Sequence, residues 1–535
     1  MKVNTLLIGL DGATYSVLDP LMQQGVMPFL RSFLTDGVRA NLRTIVPPLT
    51  PPAWTSLMTG QRPGEHGVFD FFQMDPENRH VRFFTSHDVH SETIFSLASQ
   101  NGLRATALNF PSMFPAPKLS GYVVPGWVPW RQLRLACWPE GLFDSLKNLP
   151  GFNQRELAMD IKLEERTTEG CGDPAEYGPW IELHTRREHN WFDIFQHLTL
   201  EDPSALTAVL FDGVDKLQHL CWRFLRPEDA RPLEHEWEHQ IRNLCLEYFR
   251  RLDGILEQMC ALVGPETTVI LASDHGFGPT RTAFHVNSWL ERKGYLAWSD
   301  AASTWDTQGA LLGVSQVARH TWMLDWSRTV AFAATPTSAG LYIVVNKDGS
   351  SPGIPASEYE RFCGRLAAEL LEERDPKTGA PIVERVWMRD EIFSGPYGQN
   401  SPDLTLTIAD GGVISILPSN ELISVRPDVA GQHRPLGIFA AKGPRLLQGA
   451  RVEELSILDV APMIVHTLGL PVPEQMTGRV PEEIYDAGAL LERPVRRAAS
   501  AVSIAGPDQN ALTSKMSQED EDVVLERLRE LGYIE

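Results

Sequence analysis

Three short apolar runs, each ending in an acidic residue, constrain this chain more than any other feature. Residues 3–10 end in Asp11-Gly12, residues 206–211 in Asp212-Gly213-Val214-Asp215, and residues 267–272 in Ser273-Asp274-His275-Gly276. A continuous apolar run of this length marks a strand buried on both faces, as in a parallel sheet covered by helices. Residues 104–109 read as a further buried strand. Helical patterns lie between the runs. Residues 27–34 form one, with Pro28 near its start and Gly37 placed to close it in a left-handed conformation. Residues 92–101 form another. Ile241, Leu244, Cys245, Tyr248, Leu252, Ile255, Met259 and Leu262 make one long stripe. Strands alternating with helices predict an α/β fold, a doubly wound, mostly parallel central sheet flanked by helices. Ligands of such sheets bind at the carboxyl ends of the strands, so the acids there are candidate cation ligands.

Residues 46–68 read VPPLTPPAWTSLMTGQRPGEHGV. Pro52 suits the first turn of a helix, where its missing N–H costs little. Thr50 then stands just before a helix N-terminus, beside unpaired N–H groups and the positive end of the dipole. That position suits a hydroxyl that becomes anionic next to a phosphate. Asp215 and His219 are four apart and share a helix face. Asp274 and His275 are adjacent at a strand end, and His433 precedes a strand-like run. With Asp11 these make six metal-type ligands, enough with Thr50 for two divalent cations, and Asp/His ligation suits zinc or manganese. His66 is read as structural, and Asp212 and His285 as supports for the ligands.

The balance of 69 acidic against 48 basic side chains, net −21, excludes bulk nucleic acid and anionic membrane surfaces as partners. A small anionic substrate held by metal ions remains compatible, because the ions set the local field. At 535 residues the chain exceeds one simple core. Cys137, Cys171, Cys221, Cys245, Cys260 and Cys363 are scattered, as reduced thiols are. The first apolar run is too short for a signal sequence, and no stretch reaches the roughly 18 apolar residues of a membrane span. A cytoplasmic protein is expected.

The segments LLIGLDGA, PPLTPPAWTSLMTGQRPGEHGVFDF, DGVDKLQH, SDHGF, GQHRPLGIFAAKGP and LDVAPMIVHTLGLPVP follow one another in this order. As a set they resemble the alkaline phosphatase superfamily, closest to its type I phosphodiesterase/nucleotide pyrophosphatase branch. The resemblance covers residues 1–110, 205–290 and about 400–480. It implies a two-metal phosphodiesterase or phosphohydrolase in which Thr50 attacks phosphorus and forms a covalent phospho-threonine. Asp215, His219 and His433 would hold one metal, and Asp11, Asp274 and His275 the other, with Thr50 bound to the latter. The metals implied are Zn2+ or Mn2+, and the substrate is a small phosphoester, nucleotide-like ones included. A phosphomutase of the same superfamily and a non-catalytic phosphoester-binding protein are the competing expectations.

The expected organisation is core over 1–110, a cap insertion over 111–204, core over 205–289, and a second insertion or cap over 290–400. Core over 401–490, a linker over 491–516 and a terminal helix over 517–535 follow. No Arg lies in the turn after Thr50, the first downstream being Arg62. That favours diesters over monoesters, unless Arg186 or Arg434 folds over the site. Trp54, Phe69 and the aromatic stretch over 110–130 are candidates to hold a diester's second arm.

Overall fold

The computed structural model describes residues 2–75, 80–158, 174–299, 320–346 and 352–499. Cys171, the Lys347-Asp348-Gly349 stretch, the part of the expected linker beyond residue 499 and the expected terminal helix lie outside the described residues.

The first apolar run forms β1 (Thr5–Leu10), buried at every position. Pro28 opens α1 (Pro28–Asp36), as expected. Gly37 is not left-handed but extended, with φ −105° and ψ −162°. It leads at once into β2 (Val38–Arg43), and a Cβ on it would lie 2.6 Å from the Ala441 carbonyl oxygen. Close packing, not a turn, demands this glycine. The Thr50 segment forms α2 (Thr50–Thr59), with Leu49 as its N-cap. Thr50 is therefore the first helical residue, and Pro51 and Pro52 carry no N–H. The first turn offers fewer amide donors beside Thr50 than expected.

Thr93 caps α3 (Ile94–Gln100), its hydroxyl accepting from the Ser96 N–H. β3 (Ala105–Leu108) follows, and β4 (Gly121–Val124) arises inside the aromatic stretch. The next segment is mainly helical and ends in α4 (Pro174–Glu201). Then come β5 (Leu206–Phe211), α5 (Gly213–Leu225), α6 (Glu236–Val263) and β6 (Thr268–Ala272), in the order the apolar patterns predict.

β7 (Gly276–His285) leaves the central sheet and leads to a second lobe. That lobe holds β8 (Ala331–Phe332), β9 (Gly340–Ile343), α7 (Tyr359–Glu372), β10 (Val383–Met388), β11 (Leu404–Ile408) and β12 (Val413–Ser415). Four of its strands make a sheet in the order β8-β9-β11-β10. β11, which falls in the segment expected as core over 401–490, therefore pairs within this lobe, where Leu404, Leu406 and Ile408 are buried against Leu341, Leu366 and Phe332. β13 (Ile423–Arg434) runs back antiparallel to β7. β14 (Leu436–Lys442), β15 (Arg451–Ser456) and α8 (Val460–Thr467) complete the central layer.

The central sheet has eight strands in the order β15-β2-β14-β6-β1-β5-β3-β4. Every strand runs the same way except β14, which is antiparallel to both β2 and β6. Side chains alternate between its faces. Leu6, Ile8 and Leu10 join one core with Trp180, Leu217 and Leu252 of α4, α5 and α6. Leu7 joins the other with Trp54, Phe95 and Met463 of α2, α3 and α8. This is the doubly wound sheet with helices on both faces. Gly9 makes room for the helix that carries Thr50, since a Cβ there would lie 2.7 Å from Trp54 Cη2. Truncating this fully buried Trp54 to alanine would cost about 3–5 kcal/mol. No described helix is long and apolar enough to cross a membrane.

Candidate active site

Because β14 alone is antiparallel, its amino end lies at the same edge as the carboxyl ends of β1, β5 and β6. Asp11 follows β1, and Asp274 and His275 follow β6. Asp215 and His219 stand on α5 just after β5, Thr50 opens α2, and His433 lies at the end of β13. The seven residues expected from the sequence thus meet at one edge, five of them buried and His219 and His433 partly exposed. Ser273 ties the strand ends together, donating to Ala13 O at 3.0 Å and accepting from Ile438 N at 2.7 Å.

Backbone carbonyls set the imidazole tautomers. His219 Nδ1 lies 3.1 Å from Gly431 O, His433 Nδ1 2.9 Å from Pro48 O, and His275 Nδ1 3.2 Å from Gly276 O. A carbonyl only accepts, so each Nδ1 carries the proton and each Nε2 presents a lone pair. Those lone pairs converge. His219 Nε2 and His433 Nε2 are 2.9 Å apart, and Asp215 Oδ1 stands 3.5 and 3.3 Å from them. His275 Nε2 lies 3.2 Å from Asp274 Oδ2, 3.7 Å from Asp11 Oδ1 and 3.2 Å from Thr50 Oγ1. Both Asp11 oxygens, Asp215 Oδ1 and Asp274 Oδ2 are buried with no hydrogen-bond partner among the described residues.

Acceptors gathered without donors carry a desolvation cost that cations relieve. By distance, two groups can hold a metal ion: Asp11, Asp274 and His275, and Asp215, His275 and His433. His275 stands in both, its ring stacked on His433 with centroids 3.7 Å apart. His219 faces the second group from the solvent side. The residues present therefore fit two hard or borderline cations held by oxygen and imidazole nitrogen.

The electrostatics agree. Burial, and then the neighbouring Asp274 and Asp215 charges, push the Asp11 carboxyl well above its usual range. Burial pushes Asp274 up to about 8. Burial also lowers His219 and His275, which keeps both imidazoles neutral and able to ligate. At Asp215 burial works upward, but His219 and His433 outweigh it and hold the carboxyl well below its usual range.

Other expectations resolve as follows. His66 is fully buried, accepts from Val68 N–H at Nδ1 and sits 2.9 Å from Ser56 Oγ, bracing α2. Asp212 accepts from Asn109 at 3.4 Å and lies 3.5 Å from the Arg187 guanidinium, ahead of the helix that carries Asp215. His285 sits at the far end of β7 from the cluster, 3.1 Å from Ser424 Oγ, and so does not support the ligands. Trp54 and Phe69 are core residues, packed edge-on against Phe110 and Phe393, and cannot hold a substrate arm. Among the partly exposed aromatics, Phe71 and Trp127 have ring centroids 6.1 Å apart. Phe277 walls the cluster, its ring 4.8 Å from His219 and 5.2 Å from His433. Sequence reasoning passed over Phe71 and Phe277 as members of motifs, and nothing in the sequence says which aromatics the fold buries.

A family model described as type I phosphodiesterase / nucleotide pyrophosphatase matches residues 5–433. The chain belongs to the type I phosphodiesterase/nucleotide pyrophosphatase family. Members of this family are phosphoric ester hydrolases of the alkaline phosphatase superfamily, and the chain is one of these enzymes. The phosphodiesterase match begins at the first residue of β1 and ends on His433, so it spans the whole cluster. Among solved structures, murine ectonucleotide pyrophosphatase/phosphodiesterase 5, an inactive variant in complex with AMP, is 14% identical. It aligns over 88% of this chain and 96% of that one, with a TM-score of 0.49. The human ectonucleotide pyrophosphatase/phosphodiesterase 5 is 13% identical over 87% and 95%, with a TM-score of 0.48. No curated protein matches the chain in sequence.

Proposed function

We propose that this phosphodiester hydrolase is a two-metal enzyme that works through a covalent phospho-threonine on Thr50. The carrying observation is the position of Thr50 Oγ1, 3.2 Å from His275 Nε2, beside carboxylate oxygens of Asp11, Asp215 and Asp274 that are buried with no hydrogen-bond partner among the described residues. Asp11, Asp274, His275 and Thr50 would hold one cation, and Asp215, His219 and His433 the other, zinc or manganese by donor type. When bound, such cations lower the pKa of an oxygen nucleophile and offset charge on the transferred phosphoryl group.

The chain's own residues do the rest. His275 Nε2 lies 3.2 Å from Thr50 Oγ1, so both can reach one cation, and the Gly276 carbonyl fixes the imidazole ring. Thr50 Oγ forms the new bond to phosphorus as the ester oxygen leaves, and water then breaks the phospho-threonine. Thr55, Ser56 and Thr59 are committed elsewhere, to Pro51 O and Ser112, to His66, and to Thr55 O. They do not compete as nucleophiles.

The substrate we propose is a small, nucleotide-like phosphodiester or phosphoanhydride, supported by the family description and by the partly exposed Phe71 and Trp127. A dianionic monoester needs a further cation, and neither expected arginine supplies one. Arg434 donates to the carbonyls of His433 and Pro279, and Arg186 pairs with Glu156. Steady-state assays of an aryl diester and its matching monoester should show the higher kcat/KM for the diester. Chelation should abolish turnover, and zinc or manganese should restore it. A clear monoester preference, or turnover that survives with metal content shown to be zero, would sink this proposal.

A further inference from the structure

Helix α5 is buried at every position but two, Lys216 and His219. Three residues apart, they share one helix face, with Cβ atoms about 5–6 Å from each other. Both side chains are partly exposed on that face. Its ammonium lies 5.4 Å from the centroid of the Trp127 ring, and Trp127 adjoins Phe71. Beside the cluster there is thus a wall of two partly exposed rings with one cation on it.

We infer that Lys216 and Trp127 form an arm subsite that selects phosphodiesters carrying a second negative charge close to the scissile phosphate. This rests on the reading of the Thr50 cluster as a diesterase site. The phosphoryl charge is answered by the cations of the cluster, whereas the Lys216 ammonium lies against Trp127, where the arm runs. In a chain of net charge −21, a cation placed beside the site favours an anionic arm. The ligand class is an apolar or planar arm bearing a phosphate or carboxylate a few ångströms from phosphorus.

The test compares ethyl 4-nitrophenyl phosphate with 2-carboxyethyl 4-nitrophenyl phosphate, which differ by one charge, and adds the monoester 4-nitrophenyl phosphate. Release of nitrophenolate is the readout. The parent enzyme should favour the carboxyethyl diester in kcat/KM. In Lys216→Met the ratio of the two diesters should fall about tenfold, the size of a lost charge-assisted hydrogen bond. Lys216→Glu should push the ratio below one, and Lys216→Arg should keep the parent's preference. Added salt should shrink the ratio in the parent but not in Lys216→Met. An unchanged ratio in Lys216→Met overturns the inference. So does a monoester rate that falls by the same factor as the carboxyethyl rate, because Lys216 would then serve the phosphoryl group. Turnover of both diesters without discrimination overturns the subsite alone. Failure of the parent to turn over either diester overturns the diesterase reading, and the subsite with it.

Discussion

Thr50 and His66 lie on and against the same helix, and they make different demands on chemistry and stability. Thr50→Ala should fold and keep most of its metal, yet lose kcat by about 10³-fold or more, since the covalent route is gone. A Thr50→Ala enzyme as fast as the parent would place the nucleophile elsewhere. His66 is fully buried, and burial lowers its pKa from an ordinary 6.5 to about 3. The native state therefore holds a neutral imidazole, while the unfolded chain binds a proton below 6.5. Stability is complete above that pH and falls as the pH drops from 6.5 towards 3, at about 1.4 kcal/mol per unit from this one residue. His320, lowered to about 4 by burial, adds to the slope. Urea unfolding at pH 7, 6 and 5 should show a flatter dependence in His66→Gln than in the parent. Equal slopes would contradict the assignment. The Thr50 segment was legible because Pro-Pro after a lone threonine is a local signal. Trp54 was not, because only the packing of α2 onto Gly9 makes it a core residue.

Elements that are buried on both faces could be read from the sequence, and those at the rim could not. β1, β5 and β6 are unbroken apolar runs because helices cover both of their faces. β2 and β15, with the sequences VRANLR and RVEELS, are interrupted by polar and charged residues and lie at one margin of the sheet, so no apolar run announces them. Helix starts depend on neighbours in the same way. Met27 cannot cap α1, and Pro28 has no N–H to satisfy. The carboxylate of Asp253, on α6, instead accepts from Phe29 N and Leu30 N, both at 2.8 Å. Asp253→Ala should cost about 1–2 kcal/mol, the loss of a helix cap. Its urea midpoint should fall accordingly. A midpoint within error of the parent's would show that water replaces the carboxylate at no cost.

At the scale of the whole molecule, the cluster is a store of unfavourable interactions that bound cations convert into stability. Asp11, Asp215 and Asp274 are buried side by side, and they come from segments far apart in the chain. A ligand that binds only the folded state stabilises it by about 2.7 kcal/mol at one hundred times its dissociation constant. Calorimetry should therefore show a lower Tm after chelation, recovered on adding zinc or manganese. The shift should shrink in His433→Ala and vanish when Asp11 is replaced as well. A Tm indifferent to chelation would mean that the folded chain holds no cation there. The meeting of Asp11, Asp215 and Asp274 follows from parallel strand ends legible in the sequence, whereas the arrival of His433 depends on β14 entering the sheet in reverse.

That reversed strand has a consequence for the order in which the molecule can be made. β14 lies between β2 and β6, so it alone joins the margin formed by β2 and β15 to the block that contains β1. During synthesis residues 38–43 leave the ribosome early, but the strand they must pair with is 436–442. Until then β2 has neither of its sheet partners, since β15 follows later still, and His433 has not arrived. The nascent chain must carry an open sheet edge and an unfinished acidic site through most of its translation. Closure is a late, long-range event, of the kind that slows folding and leaves edges open to aggregation.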